Sequence, residues 1–302
     1  VTEALANLDS PHSALTESAA GPSTPGGADD LPVSYIRPPS GWISLNLGEV
    51  WRYRDLLVLL VWRDISASYR QSVIGFGWAI IKPVFSMLIF TLVFGGIAKL
   101  PSDGVPYPIF SYAALLPWMY FSGCLAGASG SVLGGAGLLT KVYFPRLVLP
   151  LSSVVKGLVD FAIQFVVLVL MMAYYGIAPS AAIVLLPAFI LLCAVSALSI
   201  GLWLTALNVK YRDVGQLVPF LSQAWMWLTP VVYPSSLVPE KWRMIYGLNP
   251  LVGIVEGFRW SLLGNAPPDW TMLGVSLAVT ALLFVSGLYY FRKMETTFAD
   301  VI

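Results

Sequence analysis

"VVKGLVDFAIQFVVLVLMMAYYGIAPSAAIVLLPAFILLCAVSALSIGLWLTAL" (residues 154–207) decides the fold. Two apolar runs, 154–178 and 181–207, meet at a very short turn around Pro179. Each run matches the roughly 20 residues that a helix needs to cross a bilayer. Within lipid every backbone N–H and C=O must be satisfied inside the segment, so runs of this kind are read as helices. A connection this short makes the two helices antiparallel neighbours.

The same pattern recurs outward in both directions. Further spans are expected at 73–98, 108–130, 214–233 and 271–291, which makes six. The first contains Lys82-Pro83, a predicted kink. Composition agrees: 57% of the 302 residues are hydrophobic and 11% are charged. Globular domains carry about 25% charged residues, so the natural solvent of this chain is lipid. A net charge of +1 gives no basic case for nucleic acid. Cys124 and Cys193 fall inside apolar segments and read as small buried hydrophobes, implying neither a disulfide framework nor a metal site. The single histidine, His12, lies in a polar stretch, which argues against histidine catalysis or histidine metal ligation. Residues 1–45 are different material. "SAAGPSTPGGADDLP" (18–32) is rich in Gly, Pro, Ser and acids without periodicity, and a disordered tail is expected. It has no apolar core segment of the signal-peptide kind.

Between tail and first span lies "EVWRYRDLLVLLVWRDIS" (49–66). At about 100° per residue, Glu49, Arg52, Asp55, Arg63 and Asp64 share one face. Val50, Trp51, Leu57, Val58, Val61, Trp62 and Ile65 share the other, and Arg54 falls on the wrong side. The segment is too charged to span. It suits an N-terminal amphipathic interface helix with its tryptophans at headgroup depth. Lysine and arginine set the orientation. Arg52, Arg54, Arg63 and Arg70 precede span one; Lys141 and Arg146 follow span two; Lys210 and Arg212 follow span four; Arg292 and Lys293 follow span six. Both termini and those two loops are therefore expected on the cytoplasmic side. Residues 234–270 are expected outside despite Lys241, Arg243 and Arg259, as re-entrant helices between spans five and six, buried against protein. The domain assignment is thus 1–45 tail and 46–302 transmembrane domain.

Charged and aromatic groups within this frame have bland and sharp readings. Lys156 and Asp160, four apart, read first as a structural ion pair at the membrane edge and second as a charged element lining a pathway. Glu256 and Arg259, three apart, read equally as an outer-gate contact or as a self-satisfied buried pair. Trp78, Phe85, Trp118, Tyr120, Phe121, Trp225 and Trp227 belong by default to an aromatic belt. The sharper reading makes them a track on which the apolar faces of sugars slide. "GGAGLLTK" (134–141) lacks the spacing of a phosphate-binding loop, and no paired acids suggest glycosyl chemistry. No catalytic or metal-binding residues are assigned. Work against a gradient must draw energy from another protein.

Four stretches then stand in one order: "YRQSVIGFGWAIIKP" (69–83), "KVYFPRLVLP" (141–150), "NVKYRDVGQLVPFL" (208–221) with "TPVVYP" (229–234), and "LNPLVGIVEGFRWSLLG" (248–264). Together they resemble the permease subunit of polysaccharide-exporting ABC transporters, the group handling O-antigen, capsule and wall teichoic acid, over roughly residues 48–300. The resemblance implies a homodimer in the bacterial inner membrane, engaging two copies of a cytoplasmic ATPase subunit. ATP and Mg would be bound there and no cofactor by this chain. A lipid-linked glycan would pass through a channel between the permeases. Residues 141–150 would form the cytoplasmic coupling helix. Trp51, Arg52, Arg54, Trp62, Arg63, Tyr69 and Arg70 would belong to the interfacial gate. Asn249, Pro250, Glu256 and Arg259 would belong to the outer gate.

The coupling assignment also has a physical basis. Membrane segments that bind no nucleotide must receive force through a cytoplasmic contact. Such a contact wants aromatic anchors and orienting cations. Tyr143 and Phe144 supply the first, Lys141 and Arg146 the second, with Val142 between, while Pro145 and Pro150 keep the helix short. O-antigen export is the leading expectation, with teichoic acid or capsule export by the same machine as the alternative. A secondary transporter would ordinarily carry carboxylates deep in its spans, and Asp160 is the one acid near such a place. A membrane-embedded transferase would need an acid or histidine cluster, which the sequence lacks.

Overall fold

A computed structural model describes residues 47–70, 73–264, 267–295 and 298. The expected tail, with His12, lies outside these residues. Among the described residues the fold is all-helical, without strands. Five helical segments are long and apolar enough to cross a membrane: Gly77–Ile97, Tyr107–Gly134, Val148–Tyr175, Ala181–Lys210 and Trp270–Glu295.

The chain begins with α1 (Leu47–Arg52) and α2 (Arg54–Tyr69), separated at Tyr53. The segment expected as one interface helix is therefore two. Leu60 is the buried residue of α2, with Tyr53, Leu56 and Leu57 packed beside it. Trp51, Val58 and Trp62, expected on the apolar face, are at least 66% exposed on the surface of the chain.

α3 (Gly77–Phe90) stays helical through Pro83 and opens into a π-helix only at Thr91–Ile97. There Gly95 lies flat against the Tyr107 ring: a Cβ at that position would come within 2.8 Å of it. α4 (Tyr107–Gly134) is the central helix, packed on α3, α6, α7, α8 and α10. A four-residue helix, α5 (Ala136–Leu139), follows it. α6 (Val148–Tyr175) stops at Gly176, whose φ of 67° is the left-handed cap that glycine adopts without a Cβ penalty. After a 3₁₀ turn at Ala181–Leu185, α7 (Leu186–Lys210) returns. The short turn does put α6 beside α7, yet each packs more extensively on α4. Small residues allow that approach. Thr205 Oγ1 donates to the Ala128 carbonyl at 2.8 Å, and Asn208 Nδ2 to the Ser129 carbonyl at 2.9 Å.

The expected span 214–233 is not one long helix. α8 (Val214–Trp227) has 14 residues, about 21 Å at the usual rise, shorter than a hydrocarbon core of about 30 Å. Pro230 explains the stop. It lacks an N–H and disfavours the helical region at Thr229. Thr229 Oγ1 also takes the Trp225 carbonyl that a continuing helix would have used. Two further helices follow, α9 (Glu240–Tyr246) and the almost wholly buried α10 (Pro250–Leu263), before α11 (Trp270–Glu295). α10 packs on α4, α7 and α11.

Candidate functional site

Residues 141–147 run through turns and irregular backbone rather than a helix. The helix expected over 141–150 is not formed there as one piece: the four-residue α5 ends just before this stretch, and α6 begins at Val148. Pro145 disfavours helical geometry at Phe144, and Pro150 is accepted in the first turn of α6, where its missing N–H has no partner to lose. The six residues also divide. Tyr143 is 83% exposed, Val142 half exposed, and Lys141 exposed. Phe144, at 3%, is an element of this chain's own core with Val132, Val148, Leu149 and Phe291. Arg146 reaches the C-terminal end of α11. Its guanidinium donates to the Glu295 carbonyl, its backbone N–H lies 3.3 Å from Glu295 Oε1, and it sits over the Phe298 ring at 5.8 Å. Glu295 is held in turn by Arg292 at 2.9 Å. Glu295 and Phe298 were not singled out in the sequence, since nothing local links them to residue 146.

α2 is tied to α6 at its C-terminal end. The Tyr69 hydroxyl donates to Asp160, and Lys156 Nζ donates to Ser68 Oγ at 2.6 Å. The intrahelical pair expected of Lys156 and Asp160 is thus replaced by two bonds to α2. Burial raises the Tyr69 phenol above its ordinary pKa, and the hydrogen bond and negative charge of Asp160 raise it further. Tyr69 also stacks on Phe76 at 4.1 Å. Along α2, Arg54 pairs loosely with Asp55 at 3.8 Å and Arg63 pairs with Asp64 at 2.8 Å. Arg52 and Arg70 are exposed.

The aromatic residues separate as well. Trp118, Tyr120 and Phe121 are buried within the chain, with the Tyr120 hydroxyl on the Val154 carbonyl at 3.2 Å. Phe121 meets Trp225 edge-on at 5.5 Å. Trp78, Phe85 and Trp227 are exposed, and Trp227 leans on Phe90 and Phe94.

At the other end of α4 the residues Asn249, Pro250, Glu256 and Arg259 form one network with residues the sequence did not mark. Asn249 caps α10 by accepting from the Leu251 N–H at 3.1 Å, with Pro250 at the start of the helix. Its side chain accepts from Trp225 Nε1 at 3.0 Å and donates to the Leu228 carbonyl and Thr229 Oγ1. Arg259, 4% exposed, donates to the carbonyls of Phe110 (3.2 Å) and Val231 (2.7 Å). Its guanidinium lies 3.6 Å from the centroid of the Phe110 ring, a cation–π contact. Glu256 does not bond to Arg259 but accepts the Ser235 N–H at 3.1 Å. Burial raises its carboxyl above the ordinary value, partly offset by that hydrogen bond and the Arg259 charge. The Arg259 partners are backbone carbonyls, which carry no signature in a sequence.

Five membrane-length helices, with the buried, polar-pinned α10 between the last two, define a multi-pass membrane protein. A profile of the ABC-2 type transporter family matches residues 55–263, and the chain belongs to that family. It is similar to the O-antigen export system permease protein RfbA of Myxococcus xanthus, 32% identical over 84% of this chain and 98% of that protein. The protein of the same name from Klebsiella pneumoniae is 26% identical over 85% and 97%. The polysialic acid transport protein KpsM of Escherichia coli is 24% identical over 77% and 91%.

Proposed function

We propose that this chain is the membrane-spanning subunit of an ATP-driven exporter that moves a lipid-linked polysaccharide of the O-antigen type out of the cytoplasm. The observation that carries this reading is the similarity to an O-antigen export permease along nearly the whole of both chains. Two copies form the channel in the bacterial inner membrane, and each engages one ATPase subunit, which binds ATP and Mg and performs the hydrolysis. Both termini are cytoplasmic. α8 with the turn after it makes the remaining crossing, and α9 and α10 form the re-entrant outer gate.

Within this reading the contact to the ATPase is carried by Lys141, Val142 and Tyr143, whose side chains are exposed. Phe144 and Arg146 transmit its movement inward, to the core and to α11. Trp78, Phe85 and Trp227 are the rings available to a neighbouring copy, lipid or glycan. The similarity to a polysialic acid transport protein favours one second reading, export of a capsular polysaccharide by the same mechanism.

The test is deletion and complementation in cells that carry the gene, with surface polysaccharide as readout. Surface glycan should vanish on deletion and return with this chain only when an ATPase competent in hydrolysis is present. Undiminished surface glycan in the deletion strain overturns the reading. The structure of the glycan that disappears separates O-antigen from capsule.

A further inference from the structure

Between α2, α3, α4 and α6 lies a polar groove that the export reading does not use. It consists of two adjoining cavities of about 590 Å³ and 720 Å³. Each falls within the roughly 300–1,000 Å³ usual for ligand pockets. Met119, Gly123, Ser68, Lys156, Asp160 and Gln164 line both.

The groove owes its volume to side chains that are missing. Gly123, Gly130 and Gly134 line it from α4, and a Cβ built at any of them meets nothing within 4 Å. The facing wall is α6, which presents Lys156, Asp160 and Gln164 at successive turns. Gln164 is 8% exposed, and its Oε1 is buried without a hydrogen-bond partner. An orphan acceptor of this kind is costly and calls for an explanation. Lys156 and Asp160 are held in place by Ser68 and Tyr69, and each keeps bonding capacity beyond that contact.

The chemistry of the wall selects its ligand. The orphan Gln164 oxygen needs a donor, which a fully ionised phosphate does not offer. Asp160 repels an anion, and Arg63 at the rim is already paired with Asp64. Lys82 and Lys156 bring positive charge to the second cavity and Asp160 negative charge, so charge does not choose the ligand there and the orphan acceptor does. A ring of hydroxyls supplies donors and acceptors together. Its C–H face fits the bare glycine backbone of α4. We propose that this groove binds a sugar unit of the exported glycan within a single chain, with Gln164 Oε1 accepting from a sugar hydroxyl. The proposal rests on the glycan-export reading and adds a site to it.

The test uses the full-length chain with its ATPase partner in nanodiscs. The probe is polysaccharide released by mild acid from cells that carry this gene, and inorganic diphosphate is the competitor. Wild type should bind the polysaccharide saturably, and diphosphate should not displace it. Gly123→Leu and Gly130→Leu, which fill open space, should each weaken binding at least tenfold. Gln164→Leu removes the orphan acceptor, so it should leave the melting temperature unchanged or raised while weakening binding tenfold. This variant keeps the test decisive if a glycine variant fails to fold. Unchanged binding in Gln164→Leu, displacement by diphosphate, or absence of binding by a wild type that still exports glycan in cells overturns the groove. A deletion strain that keeps its surface glycan overturns the export reading instead.

Discussion

The segments at the two ends of α4 are built in opposite ways. At its start, Asn249, Glu256 and Arg259 give their polar groups to this chain's own backbone and side chains, and α10 is buried along nearly its whole length. At its end, residues 141–146 have two anchors, Phe144 and Arg146, and leave Tyr143 and Val142 facing outward. A buried network with few open groups resists rearrangement, because every bond broken strands a polar atom. A loop with an exposed ring beside its anchors suits contact with something else. The difference teaches that the aromatic pair Tyr143-Phe144 is one inward root and one outward handle.

The sharpest way to break that comparison is to treat the pair as equivalent. Phe144→Ala should cost about 3–5 kcal/mol, the usual price of an emptied aromatic site in a core. Tyr143→Ala should stay within about 0.5 kcal/mol, as an exposed substitution. Thermal melting of the purified chain in detergent reads the first effect. Co-purification of the ATPase reads the second, which should fall at least tenfold for Tyr143→Ala with the fold intact. Equal melting temperatures for the two variants would undo the division into root and handle.

Arg259→Met probes the other end. It takes the side-chain donor from the Val231 carbonyl, at about 1–3 kcal/mol, removes a second bond from the Phe110 carbonyl, which keeps its helical partner, and removes the cation–π contact. A drop in melting temperature nearly as large as that of Phe144→Ala is expected. Arg259→Lys should recover only part, because an ammonium does not reproduce the fork of the guanidinium. If Arg259→Met melts like wild type, the network does not stabilise this end. Tyr69→Phe should do less, about 1–2 kcal/mol, because the bond to Asp160 is partly exposed. A lower protease resistance of α2 in that variant, with the rest of the chain unaffected, would locate the loss.

What the sequence disclosed follows from the range of each signal. Runs such as 154–178 and 181–207 are local, cumulative signals, and they became α6 and α7. The fifth expected run failed where one residue overrides the average: Pro230 with Thr229 stops α8 although Val231 and Val232 keep the hydropathy high. Both charge pairs share a helix face, but the ion pair expected of Lys156 and Asp160 gives way to bonds with α2, and of the two readings of Glu256 and Arg259 the direct pair is the one that does not form. Spacing of three or four residues says that Lys156 and Asp160, or Glu256 and Arg259, share a face. It does not say that Ser68, Tyr69, Ser235 or the Phe110 carbonyl lies closer. The groove went unread for a related reason. Gly123, Gly130 and Gly134 are visible as letters, but the space they leave exists only once α6 stands opposite.

The smallest expected effect concerns pH and again contrasts the two ends. Glu256 is buried, and burial holds its carboxyl above the ordinary value despite the Ser235 N–H and the Arg259 charge. A raised folded-state pKa means that the folded chain binds its proton more tightly than the unfolded chain. Its contribution to stability is therefore fully present below the unfolded value and is lost as pH rises through the folded one. The melting temperature of the wild type should decline slightly across that window, then level off as the carboxylate forms in both states. Glu256→Gln keeps an acceptor for the Ser235 N–H but cannot ionise, so it should flatten the decline. A decline that persists in Glu256→Gln would assign it to another group and leave the α10 network indifferent to pH, as the uncharged root at Phe144 is expected to be.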